Sequence, residues 1–215
     1  LVAALVSMFV MNTSTTLMLL PIGIAVCSVV AKTIPNISKQ QQKFFDISLM
    51  LGIAYAATIG GMSTTIGTAP NLVFVAYMKE TWSIEISLFE WMKIGLPVAA
   101  VMLISTWIIL TKFIFPTTFI SSDKTKIKLQ EMYDELGPLS KDEIKVSILF
   151  SLAVIFWIFS KPIRDNLGIG LEDAGVAIIA AILLFMIPSS SKNNNLLQWE
   201  ATSKLPWGLL LLFGG

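Results

Sequence analysis

Charged residues divide this chain into long apolar runs. No Asp, Glu, Lys or Arg occurs over residues 1–31, 47–78, 94–111, 146–160 or 174–191, and a further run opens at Leu205. A membrane-crossing helix needs about 20 mostly apolar residues. The third run reaches that length through Trp107 and Phe113 toward Pro116, which predicts a transmembrane helix over 94–114. The fourth and fifth reach it with their flanks. Residues 144–215 are therefore expected to hold three transmembrane helices, the last truncated. Start signals agree. Ser87 with Glu90, and Ser140 with Glu143, match the S-x-x-E capping box, in which side chains satisfy the unpaired N–H groups of a first turn. Glu172 and Asp173 suit the positive end of a helix dipole, and Pro206 suits a first helical turn.

The first two runs differ from the rest. Each is too long for one straight crossing, and each has a polar interruption. The first carries Asn12-Thr13-Ser14-Thr15-Thr16; the second carries Gly60-Gly61-Met62-Ser63-Thr64-Thr65-Ile66-Gly67-Thr68-Ala69-Pro70-Asn71. Backbone at membrane depth must be hydrogen-bonded internally, so a broken helix survives only inside protein or beside an aqueous cavity. The pattern predicts a re-entrant helical hairpin over 1–31, broken at 12–16. It also predicts a broken transmembrane helix over 46–78, non-helical over 60–71. The alternative is two unbroken helices whose Ser, Thr and Gly faces pack against neighbours.

Composition sharpens the class. Hydrophobic residues make up 55% of the chain, charged residues 13%, and mean hydropathy is +0.77. Soluble chains carry about 25% charged residues, so this is an all-α integral membrane protein, not a disordered or soluble one. A net charge of +1 without a dense basic cluster gives no nucleic-acid partner. Histidine is absent and Cys27 is the single cysteine, which removes His-dependent catalysis and Cys–His metal sites. No enzyme chemistry is expected. Neither long run holds the buried carboxylates that proton relays use. Both ends of the sequence fall within apolar runs, so it reads as the middle piece of a longer protein.

Orientation follows from the basic residues. With the first hairpin's ends on one side and four crossings after it, eleven of the fifteen Lys and Arg share that side, among them Lys32, Lys39, Lys43, Lys112 and Lys124. Lys79, Lys93, Lys161 and Arg164 face the other. The Lys-rich side is cytoplasmic. Residues 115–143 then form a cytoplasmic linker, with an amphipathic helix around 126–136.

The interruptions offer chemistry without side-chain charge. Asn12 and Thr13 are N-cap types ahead of a helix running to about Ala31, and Pro70 suits the first turn of a half-helix ending near Met78. Each helix N-terminus carries about half a positive charge and free N–H donors, a ready anion site. Asn12, Thr13, Thr68 and Pro70 are the candidate substrate-binding residues. The side chains of Ser7, Asn12 and Ser63, with unwound carbonyls near Gly67, could ligate a hard cation such as Na+. The glycines at 60, 61 and 67 permit unusual backbone turns. Cation and anion side by side offset one another in low dielectric, so their coupling is electrostatically natural.

These residues carry a resemblance. Asn12-Thr13 followed by Leu19-Leu20-Pro21-Ile22 resembles the first Ser-Asn-Thr signature of the divalent anion/sodium symporter family. Gly60-Gly61-Met62 with Ile66-Gly67-Thr68-Ala69-Pro70-Asn71 resembles that family's broken fifth helix. The stretch from Leu205-Pro206-Trp207 to Phe213-Gly214-Gly215 is similar to the segment preceding its second hairpin. The resemblance implies an elevator-type transporter of inverted repeats, a homodimer in a bacterial inner (plasma) membrane, moving dicarboxylates such as succinate, tricarboxylates or sulfate with Na+ as coupling ion. It implies that Ser7, Asn12 and Gly67 fall on a sodium site and that Asn12, Thr13 and Thr68 face the substrate carboxylate. Met11 stands where the signature has Ser, which removes a hydroxyl from that shell. A related permease for sulfate or arsenite, or a Na+/H+ exchanger, is the alternative transporter. An integral membrane enzyme is the alternative from another class, against which stand the missing His, the single Cys and the absence of an intramembrane acid; a channel is a further one, although nothing in the sequence suggests a ring-like selectivity filter.

Other polar residues have plainer roles in view. Thr15, Thr16, Thr64 and Thr65 suit packing or backbone bonding. Cys27 suits a small apolar site. Trp82, Trp91, Trp107, Trp157, Trp199 and Trp207 fall mostly near predicted span ends, where aromatic belts form.

Overall fold

The computed structural model describes the chain apart from residues 35–36, 117–122, 162, 164–172, 191–193, 205–206 and 209–215. It divides into two compact units, Leu1–Gly137 and Pro138–Gly215. The described residues are overwhelmingly helical, with one isolated antiparallel bridge between Pro188 and Asn195.

In the first unit, α1 (Val2–Ser7) and α2 (Asn12–Thr33) are separated by a non-helical step over residues 8–11. The break thus precedes the polar cluster at 12–16, which forms the first turns of α2. The reason is local. Thr16 Oγ1 donates to Asn12 O at 2.8 Å, inside the helix, and Thr15 Oγ1 to Val10 O at 3.5 Å, in the step before it, so these hydroxyls bond back to preceding carbonyls and leave the first turns of α2 helical. α3 (Lys39–Met62) starts with a Ser38–Gln41 capping box. It runs through Gly60, Gly61 and Met62, and α4 (Ala69–Trp82) resumes seven residues after it ends. The non-helical segment is residues 63–68, shorter than the predicted 60–71.

α5 (Leu88–Ile108) starts from the Ser87–Glu90 capping box and continues as π-helical Ile109–Ile114. Its start lies upstream of the predicted residue 94 because capping extends it. α6 (Asp123–Glu135) is the linker's amphipathic helix. It packs on α2, where Thr125 is buried and its hydroxyl lies 2.7 Å from that of Thr33.

Among the described residues three helices are long and apolar enough to cross a membrane: Asn12–Thr33, Lys39–Met62 and Leu88–Ile114. At about 1.5 Å per residue they run from about 33 to about 40 Å, at least the roughly 30 Å of a hydrocarbon core. Large apolar side chains cover the outside of α5. Ile94 is 73% exposed, and Val101, Trp107 and Phe113 are likewise exposed, a surface suited to lipid. Inside, small residues set the packing. A Cβ on Gly60 would stand 2.2 Å from Ala4 O, so α1 lies on α3 at a distance that only glycine permits.

In the second unit, α7 (Lys141–Ile158) opens with the Ser140–Glu143 capping box and packs on α8 (Asp173–Met186). The Asp142 carboxylate accepts hydrogen bonds from Ser189 Oγ at 2.5 Å and from Ser190 N and Oγ at 2.9 Å, and Lys145 Nζ donates to Pro188 O at 2.8 Å. The Ser189 hydroxyl, then the Ser190 N–H, pull the Asp142 carboxyl down to about 2. Arg164, Glu172 and Pro206, and all but Trp207 and Gly208 of the third predicted span, lie outside the described residues.

Candidate functional site

The two helix breaks lie against each other. Thr64 Oγ1, in the 63–68 segment, donates to Met8 O in the 8–11 step and accepts from Gly67 N at 2.9 Å. Thr64 is fully buried. One hydroxyl thus ties both irregular segments together where water cannot substitute.

Asn12 sits at the centre of the contact. It occupies the first position of α2, while Met11 is the N-cap and makes no side-chain capping bond. The expected capping role of Asn12 is not observed, because its amide turns instead toward Ser7. One end of that amide stands 2.7 Å from Ser7 Oγ, 3.2 Å from Ala57 O and 3.3 Å from Gly67 O. Ser7 is fully buried and its hydroxyl also lies 3.4 Å from Val10 O. Three oxygens from α1, α3 and the 63–68 segment therefore surround one amide end. With nitrogen at that end, the amide donates to them. With its oxygen there, that oxygen accepts from the Ser7 hydroxyl at 2.7 Å while the Ala57 and Gly67 carbonyls face it with no donor between them, a set of neutral oxygens of the kind a small cation can use.

The structure thus brings together Ser7, Asn12 and Gly67. Ser63 lies apart from this cluster. Its buried hydroxyl donates to Gly60 O at 2.5 Å and closes the end of α3. The Ala57 carbonyl went unnoticed in the sequence, since any residue presents one. Glycine at 67 also acts differently from expectation. Among the described residues Gly137 is the positive-φ glycine, so Gly67 supplies space: a Cβ there would stand 2.5 Å from Gly61 O.

The predicted anion residues lie at two helix starts. Thr13 is exposed on the first turn of α2, and Thr68 is the partly exposed N-cap of α4, also without a side-chain capping bond. Pro70 follows in that first turn and has no N–H to offer. Both starts therefore keep backbone N–H groups open, and the Asn12–Gly67 contact holds them side by side. Thr65 Oγ1, in the same segment, is buried with no hydrogen-bond partner. Among the described residues no group of three or more His, Cys, Asp or Glu could hold a metal, so any cation here would be held by neutral oxygens.

Residues 1–215 match the family described as the sodium:sulfate symporter transmembrane region. Over 217 aligned residues the chain is 35% identical to the sodium-dependent dicarboxylate transporter SdcS of Staphylococcus aureus strain USA300, the alignment covering 97% of this chain and 41% of that transporter. The SdcS of strain NCTC 8325 matches with the same identity and coverage. The chain spans about two fifths of the length of the curated relatives it matches.

Proposed function

Since this chain belongs to the sodium:sulfate symporter family, we propose that the whole protein carries out Na+-coupled transport of a small divalent anion across a bacterial plasma membrane. The substrate class is a di- or tricarboxylate such as succinate, a reading supported by the names of the SdcS relatives. The observation that carries the ion half is the oxygen cluster of Ser7, Ala57 and Gly67 around the Asn12 amide. Na+ is a co-substrate here. When it enters, the Asn12 amide presents its oxygen, and four neutral oxygens replace part of the ion's water.

The anion binds beside it, on the open N–H groups at the starts of α2 and α4 and on the hydroxyls of Thr13 and Thr68. Dianion and cation then neutralise one another in part, at a depth where an isolated charge costs many kcal/mol. Asn12 couples the two species because its side chain belongs to the ion cluster while its backbone belongs to the α2 N-terminus. The same proposal includes elevator motion of inverted repeats, a homodimer and cytoplasmic ends for the first hairpin. Those elements rest on the family resemblance and, for orientation, on the Lys asymmetry.

The test is counterflow uptake by the full-length protein of labelled succinate, citrate and sulfate, with Na+ or with choline in its place. Na+-dependent exchange of a carboxylate supports the reading. Exchange of sulfate alone replaces the substrate class, and exchange indifferent to Na+ removes the coupling.

A further inference from the structure

A broken helix leaves carbonyls without partners, and at membrane depth each must be met by protein. At the end of α3 these are the carbonyls of Gly61 and Met62. Asn71, in the first turn of α4, donates to Gly61 O at 3.3 Å and to Thr64 O at 2.7 Å. Met62 O receives its shorter bond from elsewhere: Trp91 Nε1 donates to it at 3.0 Å.

Trp91 is held for this task. Its backbone N–H donates to Ser87 O at 3.0 Å, within a first turn closed by the Ser87–Glu90 capping box. Its ring meets that of Phe74 on α4 edge-on at 5.9 Å. One turn further along α5, Gly95 lets the helix approach the 63–68 segment so closely that a Cβ would stand 2.7 Å from Ser63 O. The start of α5 therefore touches the end of α3, the segment between the half-helices, and α4.

We propose that Trp91 is a positioning residue for ion coupling. It clamps Met62 at the end of α3, so that Gly67 O, near the far end of the break that follows, keeps its place near Asn12. This inference rests on the ion site proposed above. An indole N–H is a donor only, so its bond to Met62 O depends on geometry alone and survives any change of pH.

The experiment uses the full-length protein in proteoliposomes. Trp91→Phe keeps an aromatic ring near Phe74 and removes the donor. The Na+ concentration for half-maximal uptake is expected to rise by about threefold to tenfold, the range for one lost hydrogen bond. KM for the anion, measured at saturating Na+, is expected to stay within about twofold. A merely structural role would lower protein amount and maximal rate and leave Na+ dependence unchanged, and that result would overturn the proposal. Should Trp91→Phe fail to accumulate, Gly95→Ala must show the same split by pushing α5 off Ser63; unaltered Na+ dependence there overturns it too. Ser7→Ala run in parallel separates the two layers. If Ser7→Ala shifts Na+ dependence and Trp91→Phe does not, the clamp alone is wrong; if neither does, the ion site itself is wrong.

Discussion

Gly61→Ala is the sharpest perturbation of the ion cluster, because it adds one methyl group where the Asn12 amide lies. The added Cβ would stand 2.1 Å from Asn12 Oδ1, 3.0 Å from Cγ and 3.1 Å from Nδ2. Ordinary contact between such atoms is about 3.5 Å, so the amide must withdraw by more than about 1 Å. A withdrawal of that size takes contacts of 2.7, 3.2 and 3.3 Å beyond hydrogen-bond range. Losing even two of these three interactions costs about 1–3 kcal/mol, which raises the Na+ concentration for half-maximal uptake by about fivefold to 150-fold. The fold has little reason to suffer. Alanine is favoured over glycine inside a helix by about 0.5–1 kcal/mol, and what yields is a side chain rather than backbone.

The assay is labelled succinate uptake by the full-length protein in proteoliposomes, titrated with Na+, together with the melting temperature in detergent. Gly52→Ala is the matched control, on the same helix with nothing within 4 Å of the new Cβ. It should leave uptake unchanged. A Gly61→Ala protein that melts normally and needs no more Na+ than the parent would refute the reasoning, since Asn12 would then have left the cluster without consequence.

Thr68→Val should raise KM for the anion about tenfold while changing Na+ half-saturation less than about threefold, as loss of one hydroxyl contact to a charged group predicts; equal shifts in both would place Thr68 outside the anion site. Thr64→Val removes the hydroxyl that joins Met8 O to Gly67 N. It leaves two buried backbone groups unpaired, so it should destabilise by about 2–4 kcal/mol and lower the melting temperature; an unshifted melt counts against the tie. Asp142→Ala should loosen the chain at Pro188–Ser190, read as faster limited proteolysis there. Because the Asp142 carboxyl sits below its ordinary value of 3.8, its support is present above that pH and is lost only as pH falls through about 2. Pro188–Ser190 should therefore stay equally protected from pH 5 to 8.

Local signals were legible where the physics is local. The Ser87–Glu90 and Ser140–Glu143 capping boxes start α5 and α7, because a cap needs only four consecutive residues. Polarity placed the first break within a few residues but not on them. The cluster at 12–16 lies inside α2, since Thr15 and Thr16 bond back to Val10 and Asn12. Gly60, Gly61 and Gly67 drew attention as flexible points, yet each is required for close approach, a property of the packed neighbour that the chain itself does not display. Ala57 O and Trp91 Nε1 were hidden for the same reason. One is a main-chain oxygen and the other an ordinary interfacial tryptophan until the fold brings Asn12 and Met62 to them.

The central claim is that Asn12 joins a sodium ion and an anion in one site. Its most direct test is Na+-dependent succinate uptake by full-length Asn12→Ala, at matched protein amount in the membrane. The account predicts that uptake falls to the level seen without Na+. Uptake that still rises with Na+ as in the parent protein would contradict it.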